Sequence, residues 1–227
     1  MKTKILILLL VSNTLIAQNQ NFVGTNVGVM YITSNNVKTY NNVYRTMPGL
    51  TLNAEFGRQL QLKNNNIQFS IGLSYDNFIL NNRNSIIGIP EDAYVAENKI
   101  QNLSTQLKAV YDIVLKHNTY FSIGLMFEKP IITKYHLSMV TYYGHTEEKE
   151  TEDIETKTKN MLSNFNYATL YTSVGYRKKI KENYVGMFHV LIPMNSIPQD
   201  VLYNTYNTTN KSFPFKLQLG VQYLIKN

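Results

Sequence analysis

The 227-residue chain has no cysteine and no tryptophan, and only 16% of it is charged. The missing cysteine excludes a disulfide scaffold, thiolate metal sites and a cysteine nucleophile together. A charged fraction well below the usual ~25% argues against a disordered acidic or basic tail protein. Long hydrophobic runs are also scarce. The unbroken apolar stretch Ile5 to Val11 is far short of the ~20 residues a membrane-spanning helix needs, and no later segment does better. Apolar residues at helical spacing are rare as well. What is abundant is asparagine, with 28 residues, and tyrosine, with 17, in a chain of net charge +7.

Residues 1–17 have the three-part pattern of a secretory signal peptide. Lys2 and Lys4 form a positive start, Ile5 to Val11 an apolar middle, and Leu15-Ile16-Ala17 a small-residue cleavage site. Cleavage there is expected to leave residues 18–227 as one domain with a side-chain charge of +5, from 20 basic and 15 acidic residues.

The mature chain is dominated by strict alternation of apolar and polar residues, the signature of strands with one dry and one wet face. Eight segments show it, at about 22–32, 48–58, 66–78, 100–115, 119–129, 165–177, 183–193 and 213–225. In the second, Leu50, Leu52, Ala54 and Phe56 oppose Thr51, Asn53, Glu55 and Gly57. In the last, Phe215, Leu217, Leu219, Val221, Tyr223 and Ile225 oppose Lys216, Gln218, Gly220 and Gln222. The connections alternate long and short. The long ones fall at about 33–47, 79–99, 130–164 and 194–212, and the short ones carry turn residues such as His117-Asn118 and Lys181-Glu182-Asn183. Long loops gathered at one end and tight turns at the other are the rhythm of a transmembrane barrel.

These features predict an all-β fold: an eight-stranded antiparallel up-and-down transmembrane β-barrel following the signal peptide. Strands of about ten residues can cross a bilayer when tilted. Backbone groups in hydrocarbon must be paired, which requires the sheet to close. The dry set is bulky and the wet set small or polar, so the apolar face is expected outside. Aromatics near strand ends fit two interfacial girdles: Phe22, Phe56, Tyr111, Phe121, Tyr176, Tyr184 and Tyr223 toward the short turns, and Tyr31, Tyr75, Phe78, Phe127, Phe165 and Phe213 toward the long loops.

Wet-face charges fall in two groups. Glu55, Lys108 and Asp112 lie nearer the short turns, and Asp76, Glu128 and Lys216 nearer the long loops. Enclosed charges must pair, so a lumen plugged by ion pairs is one expectation; a water-filled interior is the other. The short-turn side carries Arg58, Lys63, Lys116, Arg177, Lys178, Lys179, Lys181 and Lys226 against Glu182, while the long loops balance to zero. The basic residues therefore form a rim. No basic stripe with interleaved aromatics suggests nucleic-acid binding.

Together the signal peptide, the alternating strands and the loop rhythm resemble the outer-membrane β-barrel family of Gram-negative bacteria, the small OmpA-like and PorT-like barrels. Gln218, Gly220, Tyr223 and Ile225 in the final strand are similar to the polar-x-Gly-x-x-aromatic-x-hydrophobic signal recognised by the barrel-insertion machinery, although Lys226 and Asn227 follow it. The resemblance implies an outer-membrane location, lipid and the insertion machinery as partners, and a monomer. It also implies a structural, adhesive or accessory role, with the long loops as the surface for a protein partner. Membership of a protein-secretion machine is the PorT-like alternative. A lipid-modifying enzyme and a soluble ligand-binding barrel are the others.

Chemistry-bearing residues are few, and no catalytic, metal or cofactor site is expected. His117, His136 and His145 lack the ligand spacing of a metal centre. His189 could serve a serine nucleophile only if a serine and a carboxylate lay beside it in space. Glu147 to Glu155 holds six of the fifteen acidic residues without calcium-loop spacing and reads as a solvated loop tip.

Overall fold

The computed structural model describes residues 18–34, 42–62, 65–85, 93–116, 118–142, 149–160, 168–198 and 211–225. The signal segment 1–17, His117, His145 and Phe165 lie outside them. Alternation becomes structure directly. Along β1 (Gln18–Ser34), Val23, Val27, Val29 and Tyr31 are exposed while Gly24, Asn26 and Met30 are buried. The same odd–even split marks residues 48–60 of β2 (Asn42–Gln61), 65–79 of β3 (Asn65–Ser85), 99–113 of β4 (Ala93–Val114) and the start of β5 (Thr119–Tyr142). It continues in β7 (Thr169–Lys181), β8 (Tyr184–Pro193) and β10 (Lys211–Ile225).

These eight strands pair antiparallel in the order β1-β2-β3-β4-β5-β7-β8-β10, and β10 returns to β1. That last ladder runs from Asn21 opposite Ile225 to Ser34 opposite Ser212. The sheet is therefore a closed barrel. Bulky side chains such as Ile71, Leu107, Leu125 and Leu219 stand on its outside, between 50% and 60% exposed. Such a surface would be an aggregation liability in water, and in acyl chains it is the expected lining.

The long connections contain more sheet than the alternation suggested. β4 has 22 residues and β5 has 24, well beyond the ~10 that cross a bilayer. From Thr119 to Glu128, β5 pairs with β7. From Ile132 onward it pairs instead with β6 (Lys149–Asn160), so the acidic stretch expected as a loop tip is a strand of a hairpin arm. A short β9 (Ile197–Pro198) caps the start of β10 in the same way. The arm escaped detection because both faces of sheet standing in water can be polar. Residues 149–160 are polar at every position but Ile154, so no alternation marks the strand.

The short turns are as tight as their residues allow. Asn118 takes φ 57°, the left-handed region that asparagine tolerates, and Leu115 N–H reaches Thr119 O at 2.7 Å to close the bend.

Two expected girdle residues face the other way. Phe22 and Phe78 are buried inside, at 0% and 3% exposure, because each shares the even parity of its strand's wet face. Phe22 packs with Val185, Met187 and Leu224 as an apolar plug at the short-turn end. Its ring occupies the space left by Gly57, whose missing Cβ would collide with it. Gly57→Ala should therefore destabilise the barrel by about 1–3 kcal/mol through overpacking. Urea unfolding in detergent micelles should show a lowered midpoint, and Gly57→Ala combined with Phe22→Leu should regain part of it. An unchanged midpoint for the single variant would contradict this packing.

Candidate functional site: the sealed lumen

Inward positions on every strand are small, polar or charged, and the barrel brings them within reach of one another. Toward the long-loop end, Lys216 of β10 is fully buried and donates to Asp76 Oδ2 of β3 at 2.7 Å. It also donates to both oxygens of Glu128 on β5, at 2.9 and 2.8 Å. Gln106 Nε2 of β4 adds a 2.8 Å bond to Glu128 Oε2, and the Lys216 ammonium lies 5.5 Å from the Tyr171 ring centre. Tyr171 in turn packs with Met126 and Leu191. Strands distant in sequence are thus tied across the lumen.

A second network lies toward the short turns. Lys108 Nζ approaches Glu55 Oε2 at 3.7 Å, Ser70 donates to the same carboxylate at 3.0 Å, and Gln222 Nε2 reaches its other oxygen at 3.0 Å. Asp112 takes a 2.6 Å bond from Ser122 and is paired with Arg177, which also donates to Gln222. Gln68 and the Tyr120 ring complete the surroundings of Arg177. Sequence reasoning counted Arg177 with the basic rim, yet it is 1% exposed. The available signal was parity: Arg177 lies two residues from inward Gly175, whereas its neighbours Tyr176 and Lys178 point out.

With Arg177 inside, the described lumen holds three cations (Lys108, Arg177, Lys216) against four carboxylates (Glu55, Asp76, Asp112, Glu128). A layer of short side chains separates the two networks. Asn26, Asn53, Ser74 and Ser104 occupy successive cross-strand positions on β1 to β4, and all are buried. Gly220 belongs to this layer, since a Cβ there would strike Asn26 Oδ1 and the Thr25 carbonyl. Of the four residues expected to form an insertion signal, Gln218 and Gly220 therefore face the lumen. Tyr223 faces out against Tyr184, ring centres 5.2 Å apart, and Ile225 shares its outward parity.

His189 does meet a serine: Ser173 Oγ and His189 Nδ1 are 3.1 Å apart. The arrangement stops at a dyad. His189 Nε2, the atom a carboxylate would have to orient, bonds to no protein group. Both residues are also sealed within the wall, at 0% and 1% exposure. No group of three or more metal-binding side chains occurs among the described residues. Among the described residues, a hollow over Ala109 between Phe69, Leu107, Leu125, Phe127 and Leu170 opens on the outer apolar face.

A closed antiparallel barrel, apolar outside and internally cross-linked by buried charge, defines the class: this is a transmembrane β-barrel of the outer-membrane type. No protein-family model matches the chain, and no curated protein does. Among solved structures, it is similar to Neisserial surface protein A, with 10% identity, covering 89% of this chain and 96% of that one, at a TM-score of 0.42. It is also similar to Ail, the attachment invasion locus protein of Yersinia pestis (10% identity, 91% and 99% covered, TM-score 0.41). A third is the outer membrane protein OprG from Pseudomonas aeruginosa (10% identity, 93% and 97% covered, TM-score 0.46). At such identities and scores these likenesses carry nothing further; the barrel stands on its own β1–β10 ladder and outward apolar face.

The upper network allows a direct test. Lys216→Met strands two carboxylates together in a closed interior, which should cost about 3–5 kcal/mol of stability. Adding Asp76→Asn and Glu128→Gln to that variant should recover most of the loss, as read by urea unfolding followed through the heat-modifiable folded gel band. If the triple variant is no more stable than Lys216→Met, the pairing is not what holds the region.

Proposed function

We propose that this chain is a Gram-negative outer-membrane protein with a structural or adhesive role. In this reading the sealed barrel is a membrane anchor that presents its extended sheet as an interaction surface. The observation that carries the reading is the contrast between the two ends of β5. Up to Glu128 it is a wall of a filled barrel, and beyond Ile132 it runs on between β4 and β6 as sheet that extends past the barrel. Lys216, Arg177 and the Phe22 plug crossing the lumen support a barrel that serves as an anchor. The work of such a protein falls to what it displays. The arm carries Glu150, Glu152, Asp153 and Glu155 followed by Lys157 and Lys159, so it presents charge of both signs along one strand.

Two measurements test this. Reconstituted in planar bilayers, the protein should give no steady single-channel conductance; a stable open level of porin size would overturn the anchor reading. On bacterial cells, replacing residues 138–157 by a short turn should leave outer-membrane recovery and the heat-dependent gel shift intact while abolishing the gain in cell or matrix adhesion conferred by the parent. Adhesion unaffected by the deletion would remove the arm from the function.

A further inference from the structure

The short-turn end has a chemistry that anchoring alone does not use. Two strands there repeat one arrangement on the outer face: an aromatic residue followed two positions later by a cation. On β2 the exposed pair is Phe56 and Arg58; on β7 it is Tyr176 and Lys178. Two residues of strand advance ~6.7 Å, which a 45° tilt turns into about 5 Å along the membrane normal. A bilayer's headgroup layer is roughly 5–8 Å deep on each side of its hydrocarbon core. If the aromatic rings mark the hydrocarbon boundary, the cations sit among the phosphates.

The end of β7 sharpens the arrangement. A register shift between Lys179 and Lys181 leaves Ile180 at 62% exposure, lying across the outer surface of Gly186. An apolar side chain is thus held outward between lysines, beside the Tyr184–Tyr223 pair. Among the described residues, this rim has five cations (Arg58, Lys116, Lys178, Lys179, Lys181) and one acid, Glu182.

We propose that this rim binds anionic phospholipid at two places on its outer face, with phosphatidylglycerol headgroups held by Arg58 at the end of β2 and, on the opposite side of the barrel, by Lys178 and Lys181 at the end of β7. Ile180 and the tyrosines would pack against the glycerol and upper acyl region. Commitment to phospholipid follows from position: short turns lie on the periplasmic side, whose leaflet is phospholipid. The inference rests on the membrane-anchor reading above.

The test uses the full mature chain folded into phosphatidylcholine vesicles containing spin-labelled phosphatidylglycerol or spin-labelled phosphatidylcholine. Electron spin resonance then compares the motionally restricted fraction of each label. The parent should prefer phosphatidylglycerol roughly fivefold at low salt, and added salt should reduce that preference. A variant carrying R58Q, K178Q and K181Q should fall to near-equal association while keeping its gel shift. Equal preference in parent and variant, or a preference that salt does not change, would overturn the proposal. Failure to insert into either vesicle, judged by the missing gel shift, would overturn the membrane reading along with it. Insertion without preference removes the lipid seat alone.

Discussion

Every backbone N–H and C=O that enters hydrocarbon has to find its partner inside the protein, and the ladder between β1 and β10 is where this chain meets that demand. A sheet of the same eight strands left open would carry two unpaired edges into lipid. Closure brings the first and last strands of the fold together over the register from Asn21–Ile225 to Ser34–Ser212. It also sets the two environments on which the rest depends, one face in acyl chains and one enclosed.

Enclosure makes the lumen charges interdependent. A buried ammonium or guanidinium is tolerated only when carboxylates and amides surround it, and each cation here draws its partners from strands far apart in sequence. Lys216 reaches β3 and β5, and Arg177 reaches β4 and β10. These contacts act as struts across the barrel. They also place paired polar side chains throughout the described interior. The proposed display surface and the proposed lipid contacts lie at the two ends, the sheet of β5 and β6 on one side and the basic, tyrosine-lined rim on the other.

Much of this was legible in the alternation itself. The outward set Leu50, Leu52, Ala54, Phe56 and the inward set Thr51, Asn53, Glu55, Gly57 can be read from residues 50–57 alone, because a strand's period of two leaves little ambiguity. The errors came where position was allowed to outrank parity. Phe22 and Phe78 look like girdle residues by location and like lumen residues by count, and the count is right. Arg177 was placed with its lysine neighbours for the same reason. The strand β6 is hidden on different grounds, since a segment polar at nearly every position carries no periodic mark.

By itself the sequence determined the strand count of the barrel, which residues share a face, and where the tight turns fall. These follow from local sterics and from the partition of side chains between water and hydrocarbon, both written residue by residue. Only the tertiary structure decided which charges meet. Whether Lys216 would face Asp76, Glu128 or neither depends on the stagger of strands around a closed ring. That stagger is a property of all eight ladders at once, and no single segment contains it.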